Sequence, residues 1–108
     1  MLLVTGGYFH PYAPAVDTTE VLTYTNPFAW RAAGSLPSGR IGLRAAKVGE
    51  LLYVTGGNGA SGDMDEILTW DSISESWLLV GRMKTARSNH GAIEVSLAVA
   101  ADYCSKDI

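Results

Sequence analysis

The sequence predicts an all-β protein built from about two copies of a four-stranded antiparallel unit. The main observation is a repeat, because residues 3–7 (LVTGG) return at residues 53–57 as YVTGG, fifty positions later. The segments around this motif also return at similar spacing, and no stretch shows the sustained 3.6-residue periodicity of a helix. A repeat of about 50 residues is typical of proteins that stack similar units and bury each unit only against its neighbours.

The first element of each unit is predicted to be a short apolar strand that ends in a glycine pair. Residues 2–5 and 51–55 are rich in Leu, Val and Thr, as expected for strands buried on both faces. Glycine at a strand end permits positive φ and the close approach of a neighbouring backbone. We therefore assign a structural role in the repeat to Gly6, Gly7, Gly56 and Gly57.

The second strand is predicted over residues 20–25 in the first copy and 66–71 in the second, aligned at an offset of 46 positions. Alternation places Leu22 with Tyr24, and Leu68 with Trp70, on one face of the strand. In this alignment the loop after the glycine pair takes up the whole change of offset from 50 to 46. This agrees with the tolerance of loops to insertion.

The third strand follows a polar turn and carries Trp30 in the first copy and Trp77 in the second. The aromatic spacing is six positions from Tyr24 to Trp30 and seven from Trp70 to Trp77, which predicts a tighter turn in the first copy, at residues 26–27. A fourth strand is predicted over 40–48 and again over 87–95, and a tight turn near Gly49 leads into the next apolar strand. The predicted order is an antiparallel meander.

These motifs together resemble the kelch repeat, which forms one four-stranded blade of a β-propeller. The resemblance rests on the glycine pairs, on the spaced aromatics Tyr24, Trp30, Trp70 and Trp77, and on residues 83–92, and it extends from residue 2 to about 95. It implies a partial kelch-type propeller of about two blades. The first repeat would cover 1–40 without its innermost strand, the second 41–86, and a third would start over 87–108 with a divergent tail. Propellers close with about four to eight blades, so we expect the chain to be part of a larger ring.

Composition narrows the class of partner. A net charge of −3, a pI near 5.2 and scattered basic residues predict no general attraction to nucleic acid or to acidic lipid. No apolar run reaches the roughly 18 residues that span a bilayer, and the start of the chain is too short for a signal-peptide core. Cys104 is the single cysteine, which excludes an intrachain disulfide. We expect a cytoplasmic location, and either another protein or peptide or further propeller blades as partner.

Three sequence patterns that could indicate a nucleotide or metal site do not meet the requirements of such a site. Residues 57–62 match the dinucleotide fingerprint G-x-G-x-x-G, but the acidic residues that follow and the lack of a helical stripe favour a strand-to-strand loop. His10 and His90 have no third ligand at a metal-binding spacing, and the acidic residues 63–66 lack the calcium-loop pattern. We therefore predict no cofactor, no metal and no catalytic residue, and expect that the chain is not an enzyme.

The resemblance implies a binding face. In kelch propellers that bind peptides, this face is lined by the loop after the glycine pair and by the edge that connects successive blades. Arginine suits such a surface because its planar fork engages carboxylates. Two alternatives stay open. Arg40 and Arg87 could instead fasten the connecting loop through backbone carbonyls, and the aromatic loop after Gly7 could fold over the blade edge. The candidate binding residues are Tyr8, Phe9, Tyr12, Arg40, Asn58, Asp63 and Arg87.

The function implied by the resemblance is a protein–protein interaction module. Kelch propellers often recruit substrates to ubiquitin ligases or bind cytoskeletal and regulatory proteins. The alternative is a piece of a kelch-fold enzyme, of the oxidase or sugar-epimerase type, whose catalytic residues lie in other blades.

Overall fold

A computed structural model of the chain describes residues 2–8, 14–23, 29–93 and 95. Every regular element in these ranges is a β-strand, in agreement with the predicted all-β class. The strands in chain order are β1 (Leu2–Thr5), β2 (Thr19–Thr23), β3 (Ala29–Ala33), β4 (Arg44–Val48), β5 (Leu51–Thr55), β6 (Asn58–Gly59), β7 (Gly62–Asp63), β8 (Glu66–Asp71) and β9 (Ser76–Arg82).

The strands form two principal antiparallel sheets. The first sheet has the order β1-β2-β3, and the second has the order β4-β5-β8-β9. The short strands β6 and β7 pair only with each other and form a hairpin between β5 and β8. Apart from this hairpin, the strands of each principal sheet pair in chain order, as in the meander that the sequence predicts.

Five backbone hydrogen bonds recur around the two glycine pairs and show that the repeat is structural. The Gly7 amide donates to the Arg40 carbonyl (2.8 Å), and the Gly57 amide donates to the Arg87 carbonyl (3.0 Å). The loop before the second strand closes back onto the second glycine, through the Val16 amide to the Gly7 carbonyl and through the Met64 amide to the Gly57 carbonyl. The remaining matched pairs are Gly6 to Thr18 with Gly56 to Glu66, Leu36 to Asp17 with Met83 to Asp65, and Arg40 to Val16 with Arg87 to Met64.

The strand ladders correct the predicted alignment of the two copies. Leu3 pairs with Val21, whereas Tyr53 pairs with Thr69, so β2 and β8 align at an offset of 48 instead of 46. The structural counterpart of Trp70 is therefore Leu22, and Tyr24 lies outside the described residues. The predicted alignment failed because it matched Glu20 with Glu66. The true register is set by how each strand pairs with the strand that ends in a glycine pair. A slip of two residues keeps the same face of the strand buried, so the alternation survives it.

The ladders also overturn the predicted tighter turn at residues 26–27. Thr23 pairs with Ala29 across five intervening residues, whereas Asp71 pairs with Ser76 across four. The first connection is thus longer by one residue. The difference in repeat length is shared between this connection and the loop after the glycine pair.

The predicted fourth strands differ from the structure as well. The first was expected over 40–48, but β4 begins at Arg44, because residues 40–43 cross from one sheet to the next and make only an isolated bridge from Ile41 to Asn58. The second was expected over 87–95, and its described residues, 87–93 and 95, form no strand. β4 forms its ladder with β5. The segment that would pair with residues 87–95 in the same way is 101–105, fifty positions after β5, and it lies outside the described part of the chain.

The hydrophobic core lies between the facing sides of the two principal sheets. The predicted same-face residues Leu68 and Trp70 are both buried here, and the rings of Trp70 and Trp77 pack edge to face with centroids 5.0 Å apart. Trp30 lies on the opposite side of the first sheet and is half exposed. The buried apolar residues are Val21, Leu36, Val54, Leu68, Trp70 and Trp77.

A chain of hydrogen bonds joins the two sheets through this core. The Trp77 indole Nε1 donates to the Thr19 hydroxyl at 2.9 Å, and the hydroxyls of Thr19 and Thr5 lie 2.8 Å apart. The Thr5 hydroxyl donates to the Thr18 carbonyl at 3.2 Å, so Thr19 must be the donor to Thr5. Each of these hydroxyls and the indole N–H therefore has a partner, which removes the cost of burying them.

The first glycine of each pair is required because the following inter-sheet loop packs directly against it. Gly6 and Gly56 have φ of 73° and 61°, a region that side chains rarely adopt. A Cβ at Gly6 would lie 2.9 Å from the Arg40 carbonyl oxygen, and one at Gly56 would clash with the equivalent oxygen of Arg87. The glycine ends of both strands are thus the points at which the successive loops meet.

Candidate functional site

The loops at the glycine ends of the two sheets enclose a groove of about 540 Å³. Its walls come from the segment after the first glycine pair, from the loop that crosses between the sheets, and from the β6–β7 hairpin. None of the described lining residues carries a charge. They are Tyr8, Pro14, Ala15, Ser38, Gly39, Ile41, Asn58, Gly59, Ala60, Ser61 and Met64.

Backbone contacts fix the walls of the groove. Ile41 and Asn58 exchange two backbone hydrogen bonds, of 2.9 and 2.7 Å, which tie the crossing loop to the hairpin. A Cβ at Gly59 would lie 2.6 Å from the Gly39 carbonyl oxygen, and one at Gly39 would clash with the Ala15 carbonyl. These two glycines allow three separate loops to approach at backbone distance, so the groove is formed by interlocked main chain.

Arg40 lies behind the groove and is buried, with 1% of its surface exposed. Its Nη2 donates to Glu66 Oε1 at 2.7 Å and to the Ser38 hydroxyl at 3.2 Å, and its Nη1 lies 3.4 Å from the Gly56 carbonyl oxygen. The aliphatic stem packs on Gly57, where a Cβ would lie 3.1 Å from it. The contact with the Gly56 carbonyl is of the kind that the loop-fastening alternative expects, whereas the shortest contact is an ion pair with the Glu66 side chain.

Arg87 is the equivalent arginine of the next loop, and it is exposed. Its Nε donates to the Thr85 carbonyl at 3.3 Å, just as the Nε of Arg40 donates to the Ser38 carbonyl at 3.3 Å. The two side chains therefore leave their loops in the same way. Arg40 has a sheet to bind, whereas the guanidinium of Arg87 faces solvent.

The strand-to-strand loop predicted after Gly57 contains the short β6–β7 hairpin. The side-chain amide of Asn58 and the hydroxyl of Ser88 both donate to Asp63 Oδ1, at 3.0 and 2.8 Å. These two hydrogen bonds, with that of Asn58 the stronger cause, lower the pKa of the Asp63 carboxyl below its usual value. Because a strand follows Gly57 and not a helix, the G-x-G-x-x-G segment lacks the helix N-terminus that a pyrophosphate site needs.

His90 packs beside the second glycine pair. Its Nε2 lies 2.7 Å from the Thr55 hydroxyl oxygen, and its Nδ1 is buried without a partner among the described residues. Burial is the main cause that lowers the pKa of His90, and the positive charges of Arg44 and Arg87 lower it further. The neutral imidazole is therefore favoured over the protonated form, whose charge would be repelled by these two arginines.

The described candidate residues all belong to this one cluster of loops. Tyr8 and Asn58 line the groove, Asp63 lies on its hairpin, and Arg40 lies behind it. Arg87 is exposed and does not line the groove, although its backbone amide donates to the Met64 carbonyl. Phe9, His10 and Tyr12 lie outside the described residues.

Sequence reasoning missed most of the groove. Ile41, Ala60 and Met64 were not singled out, because Ile41 lies far along the chain from the hairpin segment that holds the other two, and none has a chemically distinctive side chain. The sequence did contain one signal for this site. Ile41 directly follows the repeated arginine Arg40, and both this edge and the loop after the glycine pair were expected to line the binding face.

Two further observations bear on the kind of site. Within the described ranges, no three or more His, Cys, Asp and Glu side chains come together as a metal ion would require. The same ranges contain no helix with the length and apolar character needed to cross a membrane.

Comparison with known proteins gives a partial similarity. Over 61 residues the chain is 38% identical to Kelch-like protein 25 of Xenopus tropicalis and 36% identical to Kelch-like protein 25 of Homo sapiens and of Mus musculus. The match covers 56% of this chain and 10% of each relative, so the chain spans about a tenth of the curated relatives it matches. No protein-family model matches it. The similarity supports a kelch-repeat relationship, and with two adjoining antiparallel meanders of three and four strands it gives the fold as a partial kelch-type β-propeller of about two blades.

Proposed function

We propose that this chain is a protein–protein interaction module of the kelch type, and that its groove binds a short, uncharged, apolar segment of another protein. The observation that supports this most strongly is the groove itself, about 540 Å³ in volume and without a charged residue in its described lining. Binding pockets are typically a few hundred Å³ or more, and mostly apolar with a few polar groups that orient the ligand.

The chemistry of the walls selects the proposed ligand. Tyr8, Ile41 and Met64 offer apolar surface, while Ser38 and Ser61 offer hydroxyls that can bind a peptide backbone. A charged ligand group would lose its hydration in the groove and find no opposite charge among the described lining residues. An aliphatic or aromatic ligand side chain has no such hydration to lose. Its burial contributes about 25 cal/mol of favourable binding free energy for each Å² of apolar surface.

Recruitment is the proposed use of this binding. A module that holds a peptide on one face can present its partner to an attached domain, as in ubiquitin-ligase adaptation or in cytoskeletal or regulatory assembly. The expected compartment for that role is the cytoplasm. No described group of residues favours the enzyme alternative.

The proposal can be tested by selecting binders from a displayed library of short random peptides and measuring their affinities by fluorescence anisotropy. Enriched peptides should share a large apolar residue flanked by uncharged positions. Ala60→Trp should fill the groove, and Tyr8→Ala should remove one wall. Each change should weaken binding at least tenfold, or about 1.4 kcal/mol.

Ile73→Ala is the matched control. Ile73 is 94% exposed in the turn between β8 and β9, at the end of the sheet away from the groove, so its loss should leave the affinity unchanged. Circular dichroism should show that all three variants stay folded. Selected peptides that bind the Ala60→Trp variant as tightly as the unmodified chain would refute the proposal.

A further inference from the structure

We propose that Met64 is a redox modification site, at which a peroxide oxidises the thioether to a sulfoxide and thereby weakens the binding of apolar ligands in the groove. The inference rests on the proposed function, because it assigns a regulation to the same groove. Its basis is a contact between the Met64 sulfur and a serine hydroxyl that is itself bonded to a buried arginine.

Met64 lies between the β6–β7 hairpin and β8, and its side chain lines the groove. Its backbone is held on both sides, because its amide donates to the Gly57 carbonyl at 2.8 Å and its carbonyl accepts from the Arg87 amide at 3.0 Å. Its methyl group covers Gly59, where a Cβ would lie 2.5 Å from Met64 Cε. The thioether therefore lies against the hairpin and forms part of the groove wall.

A polarised hydroxyl group faces the sulfur of Met64. The Ser38 hydroxyl donates to Met64 Sδ across 3.9 Å, and a thioether is a weak acceptor. The same Ser38 oxygen accepts from Arg40 Nη2 at 3.2 Å, and the guanidinium of Arg40 is always charged. Hydrogen bonds in a chain polarise one another, so Arg40 makes Ser38 a stronger donor. A strong donor is thus directed at a weak acceptor.

A sulfoxide at Met64 would satisfy this donor better than the thioether does. Oxidation makes the side chain polar, and its new oxygen is a far stronger acceptor than sulfur. Ser38 and Met64 are already in contact, so the new hydrogen bond requires little further ordering of either side chain. The arrangement of the reduced groove therefore favours the oxidised product.

The reaction requires a peroxide as its co-reactant, and hydrogen peroxide is the simplest. The sulfur lone pair of Met64 attacks one peroxide oxygen, so that an S–O bond forms and the O–O bond breaks. Sulfur loses two electrons to the second peroxide oxygen, which takes the remaining proton of the transferred oxygen and leaves as water. Met64 is half-buried and its contact with Ser38 is exposed in the described structure, so a small oxidant has access to the sulfur. Methionine sulfoxide reductases reverse the change.

Oxidation would change the groove in two ways. Met64 is one of its apolar walls, and a sulfoxide makes that wall polar. Ser38 offers one of the hydroxyls proposed to bind a peptide backbone, and the sulfoxide oxygen would take this hydroxyl as its own partner. An apolar ligand side chain would then have to displace water from the sulfoxide dipole, which is unfavourable. The oxidised groove should therefore bind apolar peptides more weakly.

Met83 provides an internal comparison. Its Cε lies 3.0 Å from where a Cβ at Gly56 would be, so its thioether packs beside the second glycine pair. It is absent from the described lining of the groove. Oxidation of Met83 should therefore not alter the groove wall.

The test compares the untreated chain with the chain treated with hydrogen peroxide, using the apolar peptides selected for the groove. Peptide mass spectrometry gives the extent of oxidation at each methionine, and fluorescence anisotropy gives the affinity. Complete oxidation of Met64 should weaken binding by about tenfold, or about 1.4 kcal/mol, and a methionine sulfoxide reductase should restore it. Saturating peptide should in turn slow the oxidation of Met64 and not that of Met83.

The failures of the two proposals are distinguishable. Equal affinities of the reduced and the oxidised chain, or a Met64 that stays unoxidised where free methionine reacts, would overturn this inference and leave the proposed function standing. If no selected peptide binds the reduced chain, the proposed function itself is refuted, and the regulation assigned to the groove is refuted with it.

Two leucine variants assign the effect to one sulfur. Leucine has a volume close to that of methionine but no atom that a peroxide oxidises. Peroxide treatment should leave the affinity of Met64→Leu at its own untreated value, although Cys104 and the other methionines still react. Met83→Leu should lose affinity on treatment as the unmodified chain does. A loss of about tenfold in treated Met64→Leu would mean that another residue is responsible, and would overturn the assignment.

A measurement without ligand tests the contact with Ser38. Urea unfolding of Met83→Leu with and without Ser38→Ala, each reduced and oxidised, forms a double-mutant cycle in which oxidation is one of the two changes. Oxidation should lower the folding equilibrium constant about fivefold more when Ser38 is absent, because the sulfoxide then lacks its partner. Ser35→Ala, at an exposed serine outside the described groove lining, should show no such coupling. Equal effects of oxidation with and without Ser38 would overturn the proposed hydrogen bond.

Discussion

Replacing Arg40 by alanine should cost far more stability than replacing an exposed arginine that makes an ion pair of the same length. Arg40 and Arg82 both donate to a carboxylate at 2.7 Å, Arg40 to Glu66 and Arg82 to Asp65. The two pairs differ in burial, because the side chain of Arg40 is 1% exposed and that of Arg82 is 57% exposed. The comparison therefore tests the burial of the ion pair together with the further contacts that Arg40 makes to Ser38 and to the Gly56 carbonyl.

The expected magnitudes follow from that difference. Removing one partner of a buried ion pair costs about 3–5 kcal/mol, because the other charge is left without compensation. Glu66 keeps 20% exposure and can regain some hydration, which places Arg40→Ala at the lower end, about 3 kcal/mol. An exposed pair contributes only about 0–1 kcal/mol, so Arg82→Ala should cost less than about 1 kcal/mol.

Urea unfolding followed by tryptophan fluorescence measures both free energies, because Trp70 and Trp77 are buried in the core. With a slope of about 1–3 kcal/mol per molar urea, a gap of about 2 kcal/mol separates the midpoints by roughly 1 M. Arg40→Lys keeps the charge but loses the planar fork, and should fall between the two alanine variants. Equal losses for Arg40→Ala and Arg82→Ala would refute the reasoning that the buried arginine fastens the crossing loop to the second sheet.

Three further changes test other parts of the structure. Trp77→Phe removes the indole donor to Thr19 and should cost about 1–3 kcal/mol in urea unfolding, and a loss below about 0.5 kcal/mol would mean that the bond contributes little. Gly56→Ala should cost at least about 2 kcal/mol more than Gly49→Ala in thermal unfolding, since both glycines have φ near 60° but only Gly56 is crowded; equal costs would rule out the clash. Burial holds the pKa of His90 below 6.5, so the unfolded chain binds more protons than the folded chain, and the free energy of unfolding should fall as pH drops below about 6.5. His90→Gln should reduce this fall. An unchanged pH dependence in that variant would contradict the role given to His90.

The strands and their order could be predicted from the sequence because they depend on local composition. The apolar runs before each glycine pair became β1 and β5, and the alternation around Leu68 and Trp70 identified a face that the structure buries. Gly56 carried a second signal, since a glycine at a strand end indicates a close backbone approach, and the Arg87 loop makes that approach.

The register and the groove could not be predicted, because both depend on contacts between distant segments. The pairing of Leu3 with Val21 overrode the apparent match of Glu20 with Glu66. The burial of Arg40 likewise depends on Glu66, which lies 26 positions away and is brought near by the second sheet. Residue type alone could not tell a partner-binding arginine from one that fastens a loop.

The central claim is that the two meander sheets pack face to face, with Trp77 of the second sheet donating its indole N–H to Thr19 of the first. Nuclear Overhauser spectroscopy on the folded, isotope-labelled chain tests this contact directly. The structure predicts a cross-peak between the Trp77 indole proton and the Thr19 side chain, 58 positions apart in sequence. An indole proton of Trp77 that exchanges rapidly with water and shows no cross-peak to the first sheet would contradict this packing.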